Sequence, residues 1–169
     1  MSELQVSGRA WVFGDGINTD DMYPGFAMRL PLPEAAQHMF HASRPGWPDL
    51  VRPGDIVVAG RNFGLGSSRP VPLLFRELGV AALVAEQFNS LFFRNCINYG
   101  LPAATLPDAT KLISEGDHIE IDFGGGSLES GGRRHTFAPL PEFLRSVLAA
   151  GGLFGQLEAA GKLRPAGGK

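Results

Sequence analysis

Asp55-Ile56-Val57-Val58-Ala59-Gly60-Arg61-Asn62-Phe63-Gly64-Leu65-Gly66-Ser67-Ser68-Arg69-Pro70 is an apolar run that hands over to a loop of glycine, serine and arginine. The run up to Ala59 has the length and β-branched content of a buried strand. Val71 to Leu78, followed by Gly79, reads as a short helix with a glycine just past its end. The loop therefore joins a strand to a helix. Gly64 and Gly66 allow a tight turn and close approach to a ligand. Ser67 and Ser68 supply hydroxyls and candidate N-caps, and Pro70 suits the first helical turn. Unpaired amides at a helix start favour an anion, and Arg69 adds a two-pronged guanidinium for carboxylate or phosphate. The plainer reading is a capped helix after a flexible loop. Guanidinium, hydroxyls and helix start fall together beyond the carboxyl end of a strand, where α/β sheets hold ligands, and that favours an anion-binding active site.

Outward from this stretch the chain alternates. Val80–Ala85 reads as a strand, Phe88–Asn98 as a helix and Pro102–Leu106 as a short strand, which implies right-handed crossovers and a parallel sheet. Upstream, Gly8–Phe13 reads as a first strand, Gly14–Asp21 as a polar turn, and Met22–Leu30 as an exposed loop with apolar residues. Pro31–Phe40 reads as a helix and His41–Pro53 as irregular. Downstream, Gly116–Phe123 alternates polar and apolar as a half-exposed strand does. Glycines at 124 to 126 and at 131 and 132 bracket a loop, after which Arg133–Phe137 pairs back as a hairpin. Pro141–Ala150 reads as an amphipathic helix, and the tail Pro165–Lys169 is expected to fray. The fold class expected is α/β, one domain over residues 1–169, with a central parallel sheet and a smaller antiparallel unit.

Composition narrows the function. Hydrophobic residues make up 44% and charged residues 19%, ordinary for a soluble globular protein. A net charge of −2 gives no reason to expect nucleic acid or an anionic membrane as partner. No apolar run is long enough to span a bilayer, and Met1–Val6 lacks a signal pattern, so a cytoplasmic location is expected. Cys96 is the single cysteine; it excludes an internal disulfide and cannot by itself build an iron–sulfur or zinc site. Asp15, Asp20 and Asp21 lack calcium-loop spacing and read as backbone caps. His38 and His41 lack ligand spacing and read as surface or packing residues. Gly64–Ser68 has neither the spacing of a nucleophile elbow nor that of a phosphate-binding loop. A serine beside an arginine at a helix start suits proton abstraction next to a carboxylate, since backbone amides and the helix end favour an alkoxide.

Gly60–Arg69 also resembles the signature of the small subunit of 3-isopropylmalate dehydratase, the detached swivelling domain of the aconitase superfamily. Three more stretches share the likeness: Asn18-Thr19-Asp20, Tyr23-Pro24-Gly25, and Phe88-Asn89-Ser90-Leu91-Phe92-Phe93-Arg94-Asn95-Cys96-Ile97-Asn98-Tyr99-Gly100-Leu101-Pro102. The resemblance runs from Gly14 to Leu153. It implies a swivelling β/β/α three-layer domain that caps a large subunit holding a [4Fe–4S] cluster, whose iron acts on the leaving hydroxyl. No cofactor or metal is expected on this chain. The resemblance makes Ser67 the base and gives Ser68 the developing oxyanion. Arg69 and Arg29 bind carboxylate, with Gly66, Asn62, Thr19 and Asp20 beside the substrate. Arg94, Asn95 and Asn98 are candidates for shaping the site. The substrate implied is a hydroxy di- or tricarboxylic acid, reversibly dehydrated and rehydrated. Pro70 and Val71 stand where the family usually has Glu and His, and Asn18 where it often has Asp. Those departures leave open a homoaconitase, citraconate hydratase or dimethylmalate dehydratase small subunit, or an anion-binding module without catalysis.

Overall fold

The strand that opens the quoted stretch, Ile56–Ala59, is buried at every position. Val57 and Ala59 enter one apolar cluster and Ile56 and Val58 the other, so the strand is covered on both faces. That is why it reads as an unbroken apolar run rather than an alternating one. The computed structural model describes residues 4–153 together with 155 and 157; the expected fraying of Pro165–Lys169 lies outside the described residues.

Seven strands form the sheet: β1 (Gln5–Val12), β2 (Ile56–Ala59), β3 (Ala82–Ala85), β4 (Ala103–Thr105), β5 (His118–Asp122), β6 (Ser127–Ser130) and β7 (Arg133–Thr136). Their order is β4-β3-β2-β1-β5-β6-β7. The pairs β1·β2, β2·β3 and β3·β4 are parallel, while β1·β5, β5·β6 and β6·β7 are antiparallel. Thus the parallel and antiparallel parts expected from sequence are both present, and they share one strand. Residues 10–12 of β1 pair with β2, and residues 5–9 pair with β5.

The helices are α1 (Thr19–Met22), α2 (Leu32–Ala36), α3 (Trp47–Leu50), α4 (Val71–Glu77), α5 (Ser90–Asn98), α6 (Ala109–Leu112) and α7 (Glu142–Ala149), with a 3-10 helix at Gly25–Arg29. Three expectations need correction. The bracketed loop holds β6, and β7 pairs with β6 rather than with β5. Met22–Leu30 is not an open loop, because it is occupied by the end of α1 and the 3-10 helix. His41–Pro53 contains α3, started by Gly46 at φ +85°. Trp47 at its head is fully buried against Trp11, Phe13, Phe40 and Phe75, with Nε1 making no conventional hydrogen bond. A cage of rings fixes this otherwise irregular segment.

Below β1 and β2, Asp55 is buried and accepts hydrogen bonds from Trp11 Nε1 (2.8 Å), the Arg52 amide (2.8 Å) and Arg9 Nη2 (3.0 Å). Burial pushes the Asp55 carboxyl up, but these donors outweigh it and hold it below its ordinary range.

Candidate active site

Residues 62–69 are pinned from two sides. The Gly64 amide donates to Ile17 O (2.9 Å) and the Thr19 amide to Leu65 O (2.7 Å). On the other side the Phe63 amide donates to Gln87 O (3.0 Å) and the Asn89 amide to Phe63 O (2.8 Å). Phe63 is fully buried between them. Thr19 Oγ1 then donates to Ser67 O at 2.7 Å. The loop is a strap fastened to the turn before α1 and to the start of α5.

Glycine is required where the strap meets α1. Gly66 has φ +109°, and a Cβ there would stand 2.6 Å from Asn18 Oδ1 and 3.0 Å from Thr19 Oγ1. That same Asn18 oxygen caps α1 by accepting from the Asp20 amide at 2.7 Å. Asn does this as well as Asp, so the departure at position 18 costs the turn nothing. Gly64, at φ +88°, passes so close to the Phe92 ring that any side chain would collide with it.

The polar groups then converge. Ser67 Oγ donates to Asp20 Oδ1 at 2.9 Å. Arg69 Nη2 reaches the same carboxylate oxygen at 3.1 Å, and Arg69 Nη1 donates to Tyr23 O at 2.7 Å. Asn95 Nδ2 points at Ser68 Oγ from 3.4 Å. Thr19, Asp20, Gly66, Ser67, Ser68 and Arg69 are therefore brought together, with Asn95 beside them. Asn62 and Arg29 are not in this cluster. Asn62 is exposed and turns the backbone at φ +56°, while Arg29 lies exposed on the 3-10 helix without a hydrogen bond or ion pair among the described residues. Arg94 and Asn98 are likewise exposed.

The start of α4 differs from expectation. Neither serine caps it; Pro70 holds the cap position and no side chain bonds there. The Val71 amide is used by Arg69 O (2.7 Å), Pro72 has no N–H, and the Leu73 amide is used by Pro70 O (3.1 Å). Two prolines and these short turns leave no spare donors for an anion at the head of α4. The donors that face an anion here are side chains, Arg69 above all.

The recess among Thr19, Ser67, Ser68, Arg69, Leu91 and Asn95 has about 10 Å³, room for at most one water. A much larger trough of about 550 Å³ lies on the outer face of the antiparallel strands, among Ser7, Glu120, Asp122, Ser127, Glu129 and Arg134. It is open and carries serines, carboxylates and an arginine of its own, but Ser67 and Arg69, joined through Asp20, line the smaller recess, which is therefore the candidate site. Cys96, one residue after Asn95, is fully buried, and burial pushes its thiol up, which makes it an inert packing residue.

Sequence reasoning missed the carbonyl of Tyr23 as a holder of Arg69, because a backbone acceptor leaves no mark in a sequence. It also missed that Asp20 binds Ser67 and Arg69 together. The signal available was two adjacent carboxylates, Asp20 and Asp21, in one turn. They diverge: Asp21 accepts from the amides of Ala42 and Ser43 and from the Ser43 hydroxyl.

The chain is similar to several known proteins. Residues 49–109 match the aconitase C-terminal domain family. The 3-isopropylmalate dehydratase small subunit of Nautilia profundicola is 43% identical over 152 residues, covering 88% of this chain and 91% of that protein. A methanogen homoaconitase small subunit of Methanothermobacter thermautotrophicus is 40% identical over 152 residues, 88% of each chain. Among solved structures, a 3-isopropylmalate dehydratase from Methanocaldococcus jannaschii superposes with a TM-score of 0.87 at 33% identity. That match covers 94% of this chain and 96% of the other.

Proposed function

This chain belongs to the family of 3-isopropylmalate dehydratase small subunits, and from that premise we propose how it serves a hydro-lyase completed by a large subunit. The observation that carries the proposal is the shared oxygen of Asp20, 2.9 Å from Ser67 Oγ and 3.1 Å from Arg69 Nη2. Dehydration of a hydroxy di- or tricarboxylic acid removes a proton from carbon next to a carboxylate and a hydroxyl from the neighbouring carbon. Ser67 Oγ takes the carbon proton, and its own proton passes along the existing hydrogen bond to Asp20. A bare alkoxide is then never needed, which matters because α4 offers no free amides to stabilise one. Arg69 receives a substrate carboxylate, and Ser68, held near Asn95, supports the developing oxyanion. Rehydration runs the same steps in reverse.

The recess holds no more than one water, so the substrate must be enclosed by a second chain. A [4Fe–4S] cluster does not fit the residues present here. Such a cluster is held by several cysteine thiolates, whereas the sole cysteine is the buried Cys96. The described residues contain no group of three His, Cys, Asp or Glu placed for a metal. The cluster belongs in this proposal to the large subunit. No helix among the described residues is long and apolar enough to cross a membrane.

Arg29 supports a second reading of the substrate. It is an uncommitted cation on the segment that follows Tyr23-Pro24-Gly25, and it suits a substrate with a further carboxylate, as a homoaconitase would take. The experiment is co-expression with the cognate large subunit, anaerobic reconstitution, and assay on 3-isopropylmalate, homocitrate, citraconate and dimethylmalate. Turnover on one of these by the pair, with no iron on this chain alone, supports the proposal. A fully loaded pair that turns over none of them, or four irons on this chain alone, refutes it.

A further inference from the structure

Phe26 is a large aromatic residue left 54% exposed on the 3-10 helix Gly25–Arg29. It is not idle there. Its ring meets the His38 imidazole with centroids 5.0 Å apart at 81°, and the His41 imidazole at 5.3 Å and 79°. Both contacts have the edge-to-face geometry that aromatic pairs prefer.

The 3-10 helix decides what this clamp controls. With three residues per turn, side chains at i and i+3 eclipse. Ala27 and Leu30 form the inward edge; Ala27 is fully buried and Leu30 packs on the same cluster. Phe26 and Arg29 form another edge, one directly above the other. At its two ends the element is tied by the Ala27 amide to Pro24 O at 2.9 Å and the Leu30 amide to Ala27 O at 3.0 Å. The buried anchor of the inward edge is mainly a methyl group. Phe26 is thus the side chain that fixes the rotation of the element about its own axis.

The imidazoles are tied in turn to the catalytic cluster. The Phe40 amide, between the two histidines, donates to Asp21 O at 3.0 Å, and the Asp21 carboxylate takes the amides of Ala42 and Ser43. Asp21 adjoins Asp20, which holds Ser67 and Arg69. A continuous frame runs from the histidines through α1 to the serine.

We propose that Phe26, clamped between His38 and His41, is a positioning residue that sets the direction in which Arg29 meets the substrate relative to Ser67. This rests on the reading of Arg29 in substrate recognition given above. The clamp should bear on binding of the substrate arm that Arg29 meets, and leave proton transfer at Ser67 alone.

Two measurements test it. In the isolated chain, the imidazole proton resonances of the four histidines are compared between wild type and Phe26→Leu. Loss of the aromatic ring should shift His38 and His41 and leave His118 and His135 in place. In the reconstituted enzyme, with homocitrate and 3-isopropylmalate as probes, Phe26→Leu should raise KM roughly three- to tenfold, with kcat within twofold, on whichever probe Arg29→Ala also weakens. Phe26→Tyr should restore KM, and Phe26→Leu should add nothing in an Arg29→Ala background. Unmoved histidine resonances overturn the clamp. An Arg29→Ala effect on KM with Phe26→Leu silent overturns the positioning role while leaving Arg29 in place. No KM effect from Arg29→Ala overturns the proposal together with the reading of Arg29 beneath it.

Discussion

Replacing Asp20 with asparagine separates catalysis from folding. The amide keeps an oxygen where Oδ1 stands, so Ser67 and Arg69 retain an acceptor at 2.9 and 3.1 Å. What is lost is a charge and the capacity to take a proton. Asp20 is 58% exposed and Arg69 20%, and ion pairs that face water contribute about 0–1 kcal/mol. The charge also sits in the first turn of α1, worth about 0.3–1 kcal/mol at a helix start. Stability should fall by no more than about 2 kcal/mol, which for a chain of this size lowers Tm by roughly 4–8 °C. Turnover should fall by about two to four orders of magnitude, the range for losing a positioned proton acceptor. KM should not rise, because substrate carboxylate no longer competes with a resident anion for Arg69. The assays are thermal denaturation of the isolated subunit and steady-state kinetics of the reconstituted pair at matched cluster content. Turnover within tenfold of wild type would refute the proton relay. A Tm loss above about 10 °C would show that Asp20 is chiefly a structural cap, since it exceeds what the exposed pair can supply.

Ser67→Ala should leave subunit association intact and reduce kcat by about two to four orders of magnitude, read by the same kinetics; near wild-type kcat would make Ser67 a mere strap residue. Arg69→Lys should raise KM strongly, since one ammonium cannot reach both Tyr23 O and a carboxylate as the fork does. Gly66→Ala forces a side chain into φ +109° with 2.6 Å to the cap oxygen of Asn18, and should cost roughly 1–3 kcal/mol in urea denaturation. Acid should unfold the chain through Asp55 and Glu115. Glu115 is held below its ordinary 4.5 chiefly by the Arg44 hydrogen bond, and Asp55 lies below its ordinary 3.8. Because the unfolded carboxyls bind protons first, the stability they add is present above those values and lost as pH falls through the lower folded ones. Asp55→Asn should flatten the stability–pH curve below about pH 4, measured by denaturation across pH.

The parallel half of the sheet was legible because each strand is buried on both faces and stands as a solid apolar run, as in Ile56–Ala59 and Ala82–Ala85. β6 was not legible: Ser127-Leu128-Glu129-Ser130 has one apolar residue, and only pairing with β5 and β7 makes it a strand. The short helices α1, α3 and α6 are single turns of four residues, below the length at which periodicity carries information. At the site, the family likeness pointed to the residue types, and Ser67 and Arg69 do converge. Their shared partner Asp20 sits 47 residues from Ser67, a distance no local pattern spans. The head of α4 misled because Pro70 was read only as suiting a first helical turn, whereas Pro72 removes a further amide and the Val71 and Leu73 amides are used by Arg69 O and Pro70 O.

The division of β1 between two partners carries a consequence for the order in which the chain can fold. Its first half pairs with β5, from Arg9 opposite His118 to Gln5 opposite Asp122, more than a hundred residues away. Its second half pairs with β2 some 46 residues on, through Ala10 opposite Ile56. Closing the first of those loops costs more chain entropy and waits until most of the protein has left the ribosome. During synthesis the three parallel strands after β1 can assemble, with helices α4 and α5 between them, while residues 5–9 still present open hydrogen-bonding groups along an unpaired edge. The antiparallel half therefore closes last, and the interval before it does is when this chain is most exposed to mispairing with another copy.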